Sequence, residues 1–248
     1  MIGDPLEGKR VLVTGGSAGL VDEAPGAAVA GLLAQRGARV AISYATDSRR
    51  AQDTLRALPG CSHVAVQGDV FDHDGVTEVI RTTIEKLGGL DHVVSNAGWT
   101  AFGQFDDLIT DDDWMTCYRA NVLSHLWLMQ ACQDELKSNK GSFVVSASVA
   151  GLRPSGSSMP GIQPALTPPA VSKAGTIYLI KSLAVACAPD VRVNGVAAGV
   201  MLTSWSKGFT DVQITRTKQS NVLGKLTDVQ DVASMYGRLS ISSTLDGW

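Results

Sequence analysis

Glycines, arginines and hydroxyls are spaced along this chain in a way that suits a nucleotide. The apolar run Lys9 to Thr14 ends in Gly15-Gly16-Ser17-Ala18-Gly19, a turn whose small residues let backbone amides close on a phosphate before a helix begins. A second strand, Arg39 to Tyr44, runs into Ala45-Thr46-Asp47-Ser48-Arg49-Arg50. An acid at such a strand end would bond a ribose 2′-hydroxyl, whereas an arginine accommodates a 2′-phosphate. Here the acid is absent and Arg49 and Arg50 open the next helix, so NADP(H) is the expected cofactor. The plainer alternative leaves both arginines solvated and makes Asp47 or Ser48 a helix cap. Further along, Phe143-Val144-Val145 enters Ser146-Ala147-Ser148, hydroxyls at the carboxyl end of a strand, where open α/β sheets place their ligands. Lys173 lies in Ala170-Val171-Ser172-Lys173-Ala174-Gly175, which starts an amphipathic helix expected over residues 171–188.

The elements that position these groups alternate. Strands are expected over residues 9–14, 39–44, 63–67, 90–94, from Phe143 onward, and over 191–196, with helices between them. This order predicts a Rossmann-type α/β fold, a doubly wound parallel sheet with helices on both faces. At 248 residues and 44% hydrophobic content, one domain spanning 1–248 is expected. A net charge of −3 without a basic stripe argues against nucleic acid or a membrane surface as partner, leaving a small-molecule substrate. No apolar run is read as a membrane span, and a cytoplasmic location is expected. Cys61, Cys117, Cys132 and Cys187 are too scattered for a metal site and are read as reduced, mostly buried thiols. Asp111, Asp112 and Asp113 imitate a metal cluster, but Thr110 before them reads as an N-cap with Asp113 reaching back. No metal is expected. His125 among leucines reads as a packed, satisfied core residue.

The strings G-S-F-V-V-S-A-S-V-A-G and V-S-K-A-G resemble the active-site segment of the classical short-chain dehydrogenase/reductases. Thr14-Gly15-x-x-x-Gly19, Gly68-Asp69-Val70, Ser95-Asn96-Ala97-Gly98, Asn121-Val122, Arg192-Val193-Asn194 and Asp231-Val232-Ala233 follow the family's motifs in order. The helix after the glycine turn aligns only with Gly26 as the third glycine, which implies an insertion containing Asp22 and Glu23. The resemblance implies a catalytic set of Ser148, which orients substrate, Lys173, which holds the nicotinamide ribose, and Asn121, which holds a water linked to the lysine. It implies cofactor contacts from Gly15, Ser17, Gly19, Tyr44, Arg49, Arg50, Asp69, Asn96, Lys173, Val200 and Thr203, and a homo-oligomer, tetramer or dimer. Trp248 falls where the family's seventh strand would begin, so that strand is expected to be missing.

One position departs from the pattern. Four residues before Lys173 the family has a proton-donating tyrosine, and here the residue is Pro169. The segment from Gly151 to Pro169 is longer than in the family and holds Pro154, Pro160, Pro164, Pro168 and Pro169, which reads as a stiff lid over the nicotinamide. Together with Trp99, Met159, Ile162, Leu166, Met201 and Trp205, Pro169 is expected to line an apolar substrate pocket. The departures are similar to those of the fungal indole-alkaloid reductase/Diels–Alderases. That resemblance implies reduction of an iminium or activated imine in a bulky natural-product intermediate, together with guided cyclisation. A non-redox cyclase and an inactive NADP(H)-binding scaffold are the alternatives.

Overall fold

The computed structural model describes residues 4–17, 24–100, 110–153, 168–203, 206 and 209–242. Six parallel strands form one sheet: β1 (Arg10–Val13), β2 (Arg39–Tyr44), β3 (Val64–Gln67), β4 (His92–Ser95), β5 (Ser142–Ser148) and β6 (Arg192–Ala198), in the order β3-β2-β1-β4-β5-β6. The order reverses between β1 and β4, which opens a crevice beyond their carboxyl ends. Between the strands lie α1 (Pro25–Gln35), α2 (Ser48–Ala57), α3 (His73–Leu87), α4 (Asp111–Tyr118), α5 (Ser124–Ser138) and α6 (Pro168–Cys187), followed by α7 (Asp211–Ser220) and α8 (Val229–Ile241).

Side chains alternate across the strands, so each strand feeds two cores. Leu12, Val93, Phe143, Val145 and Val193 pack against α3, α5 and α6. Val11, Val13, Ile42, Val94 and Val144 pack against α1, α2 and α8. The Thr110–Asp113 capping box is present, and Asp47 caps α2 by accepting from the Arg50 amide. Cys117, Cys132 and Cys187 are buried and Cys61 is exposed, all as free thiols.

Three expectations need correction. The helix carrying Lys173 begins at Pro168 rather than Val171, because prolines fit a first turn whose N–H groups have no intrahelical partner. The same helix is long and apolar enough, by length and composition, to cross a bilayer; the sequence reading missed this because Lys173 and Lys181 interrupt the run. Its buried side, including Ile180, Leu183 and Ala184, packs on the sheet as a core element. His125 is buried and its Nδ1 lies 2.6 Å from Ser95 Oγ, but its Nε2 has no partner among the described residues, so it is only half satisfied. Burial holds its pKa well below 6.5 and keeps it neutral.

Candidate cofactor and active site

The switch point is tied together through Thr14. Its Oγ1 accepts from the amides of Asn96 and Ala97 at 3.0 and 3.1 Å, while Asn96 Nδ2 donates to the Thr14 carbonyl at 3.2 Å. The chain then turns at Gly15, whose φ of +67° is left-handed backbone that glycine adopts without strain. A Cβ on Gly26 would stand 2.6 Å from the Gly15 carbonyl and 2.7 Å from Asn96 Nδ2, so only glycine lets α1 start so close to the turn. This is the role expected of a third glycine. Ser17 lies within the turn, where its Oγ donates to the Ser43 carbonyl at 3.5 Å, and Gly19 is outside the described residues. The cradle is shaped by missing side chains, and a dinucleotide fits it: backbone approaches closely and no carboxylate ends β2.

Around this turn, Tyr44 is half-buried at the end of β2, and Arg49 and Arg50 are exposed in the first turn of α2. Asp69 is exposed and accepts from the Phe71 amide at 2.9 Å, a local turn that fixes its carboxylate. Val200 and Thr203 follow β6; the Val200 carbonyl accepts from the Thr227 amide, and Thr203 is held by Ser206 through its amide and carbonyl.

Ser148 ends β5 half-buried, with its Oγ accepting from the Ala150 amide at 3.2 Å, within a single turn, Val149–Gly151. A Cβ on Gly151 would stand 2.5 Å from the Lys173 carbonyl carbon, so this glycine seats the turn directly on α6. Part of Lys173 reaches the surface, yet protein atoms enclose its ammonium, which donates to the Ser146 carbonyl at 2.6 Å. That desolvation lowers its pKa to about 8. Pro169 occupies the first turn of α6, and its carbonyl accepts from Ser172 Oγ at 2.8 Å. Tyr178 is 74% exposed and cannot stand in for a tyrosine there.

Asn121 sits in a five-residue π turn, Arg119–Leu123, joining α4 to α5. Its Oδ1 accepts from the Trp99 amide at 3.0 Å, and its Nδ2 donates to the Trp99 carbonyl at 2.9 Å and to Ser172 Oγ at 3.0 Å. Its backbone carbonyl accepts from Thr176 Oγ1. Both amide protons of Asn121 are thus given to protein, and the side chain staples Trp99 to α6 through Ser172. Of the expected pocket, Trp99, Pro169 and Met201 are described; Met159, Ile162, Leu166 and Trp205 lie outside the described residues.

A profile of the family described as enoyl-(acyl carrier protein) reductase matches residues 22–242. The chain belongs to the short-chain dehydrogenase/reductases. It is 33% identical over 94% of its length to ketoacyl reductase 2 of the granaticin polyketide synthase of Streptomyces violaceoruber, covering 90% of that protein. It is 31% identical over 80% of its length to a versicolorin reductase of Emericella nidulans, covering 71% of it. Among solved structures, a short-chain dehydrogenase of Burkholderia cenocepacia in complex with NADP is similar at a TM-score of 0.84 and 29% identity, covering 98% of this chain and 96% of that one. As in that family, the chain is an oxidoreductase by descent.

Sequence reasoning missed two residues of the site. Ser146 was read as an exposed hydroxyl; it is 9% exposed, and its carbonyl receives Lys173. Tyr236, in α8, places its hydroxyl 2.5 Å from Ser146 Oγ. The available signal was a tyrosine on the apolar face that includes Val229, Val232 and Ala233, since a buried phenol needs a partner.

Proposed function

We propose that this chain is an NADP(H)-dependent reductase of an iminium or activated imine carried by a bulky apolar natural-product intermediate, and that the same pocket guides cyclisation of that intermediate. The reading rests on Pro169, in the first turn of α6, at the position of the family's proton donor. Reducing a ketone generates an alkoxide that needs a proton, and a positioned acid contributes roughly 10²–10⁴-fold to such a step. Hydride added to an iminium carbon gives a neutral amine, and no acid is required.

NADP(H) is supported by Arg49 and Arg50, by the absent acid after β2, and by the NADP held in the similar Burkholderia structure. When bound, the nicotinamide supplies the hydride. Gly15 and Gly26 would admit the pyrophosphate, Arg49 and Arg50 the 2′-phosphate, and Asn96 and Lys173 the ribose hydroxyls. Ser148 would orient the substrate. Trp99, whose backbone amide and carbonyl are both held by Asn121, would stabilise the iminium charge over its ring by about 0.5–2 kcal/mol. The similar ketoacyl reductase of a polyketide synthase and the similar versicolorin reductase support a polyketide-like substrate class. A cytoplasmic homo-oligomer, dimer or tetramer, completes the proposal.

Restoring the family residue tests the chemistry. Pro169→Tyr is expected to change iminium reduction by less than about threefold, because no proton transfer limits it. Acceleration by orders of magnitude, or efficient ketone reduction by the wild type, would sink the acid-free mechanism. Cyclised product formed without NADPH consumption would favour a non-redox cyclase, and binding without turnover a scaffold.

A further inference from the structure

Tyr236 and Ser146 have no part in the proposed chemistry, yet their hydroxyls are joined by a short contact beside the crevice. Tyr236 is 2% exposed and packs in the core between the sheet and the α1/α8 layer, across the sheet from α6. Its hydroxyl lies 2.5 Å from Ser146 Oγ, which lies 3.0 Å from Asn96 Oδ1. Counting protons fixes the direction of this chain. Asn96 donates through Nδ2 to the Thr14 carbonyl, so its Oδ1 can only accept. Ser146 has one proton and gives it to Asn96. The phenol must therefore donate to Ser146 Oγ. Burial raises the Tyr236 pKa to about 12, so this donor stays protonated throughout the physiological range.

Ser146 meets the site twice, through its hydroxyl toward Asn96 and through its carbonyl toward the Lys173 ammonium. Whatever holds Ser146 holds both groups assigned to the cofactor's ribose hydroxyls in the reading above. We propose that Tyr236 is a positioning residue that sets the cofactor-binding geometry from behind the sheet, by locking the Ser146 proton onto Asn96 and thereby the Asn96 amide onto Thr14. The inference rests on the assignment of Asn96 and Lys173 to the cofactor site. It reaches beyond that assignment in giving α8, a helix with no residue in the crevice, control over it. Tyr236 is not a substitute acid, because its hydroxyl faces the opposite core from the α6 side where substrate would lie.

Two measurements on the full chain test this. In the cofactor-free protein labelled with nitrogen-15, the Asn96 side-chain amide should be slow to exchange with solvent. In Tyr236→Phe its exchange should quicken at least tenfold with the backbone spectrum otherwise kept. In NADPH titrations Tyr236→Phe and Ser146→Ala should each raise Kd roughly three- to tenfold, and the double variant should be no worse than Ser146→Ala alone, because both act through one chain. A residue that merely stabilised the core would lower the melting temperature without moving either readout. Unchanged amide exchange in Tyr236→Phe, NADPH affinity within twofold of wild type, or additive losses in the double variant would each overturn the proposal. Failure of the wild type to bind NADPH would overturn the cofactor reading instead, and amide exchange would still decide whether Tyr236 positions Asn96.

Discussion

The two ends of the sheet both remove charge from water, and they do it in opposite ways. At the amino end, Asp91 is buried beside Arg10, which donates to it from Nε at 2.8 Å, from its backbone amide at 2.9 Å and from Nη2 at 3.2 Å. Burial pushes the Asp91 carboxyl upward, but those hydrogen bonds outweigh it and hold the pKa below its ordinary value. Next to it, Ser142 donates to the Ser240 carbonyl, so His92 Nδ1 must donate to Ser142 Oγ. Burial lowers the His92 pKa to about 4 and keeps it neutral. Arg192 closes the corner on the carbonyls of Leu239 and Ser240, at the negative end of α8. At the carboxyl end, the enclosed ammonium of Lys173 meets a backbone carbonyl, and burial alone shifts it. A network whose charges answer one another holds the fold. A buried cation answered, among the described residues, by a dipole leaves room for a ligand to complete it.

That contrast predicts effects of opposite kind. The largest belongs to Asp91→Ala, which strips the Arg10 guanidinium and amide of their acceptor. Stability should fall by about 3 kcal/mol, and the melting temperature by roughly 10 °C. NADPH affinity measured well below the transition should stay put; a loss of affinity without a loss of stability would erase the distinction between the ends. Lys173→Met should do the reverse. Turnover and NADPH affinity should drop together about thirtyfold, near 2 kcal/mol, with the melting temperature kept or raised, since an unanswered buried cation is replaced by an apolar chain. In the wild type the same affinity should weaken as pH rises through about 8, where Lys173 gives up its proton. Collapse of turnover with cofactor affinity intact would make Lys173 the proton donor and end the acid-free account. The smallest effect is expected from Arg49→Ala with Arg50→Ala, exposed side chains that solvent screens. The preference for NADPH over NADH should narrow by about 1 kcal/mol, roughly fivefold, in parallel titrations. An unchanged ratio would remove the 2′-phosphate assignment.

How far the sequence could be read follows the distance between partners. β2 came out to the residue because its buried run is bounded by Gly37-Ala38 and by Ala45-Thr46-Asp47, all local signals. The Thr110–Asp113 box needs only four consecutive residues and was equally plain. Boundaries slipped where chemistry is ambiguous: His92 begins β4 two residues later than expected, although the Asp91 backbone already bonds Arg10 and Ser142 on the neighbouring strands, and Pro168 starts a helix where a run of prolines suggested loop. The site was legible as motifs, because Gly15, Gly19, Asn96 and Lys173 sit at family spacings. It was not legible as contacts. Nothing near Asn121 in the chain says that its amide will meet Trp99 and Ser172, 22 and 51 residues away. The phenol behind Asn96 could not be placed at all, since nothing near Tyr236 in the chain says which strand its hydroxyl will meet.

The contact between Tyr236 and Ser146 spans 90 residues, and the Ser142 contact with Ser240 spans 98. Contacts so distant in sequence carry a loop-closure cost that must be met before they return any stability. A chain still growing from the ribosome can have all of its glycine turn, Asn96 and Lys173 outside the exit tunnel and still lack the hydrogen bond behind them. Helix α8, made after all of these, is thus the one that finishes the first turn's job.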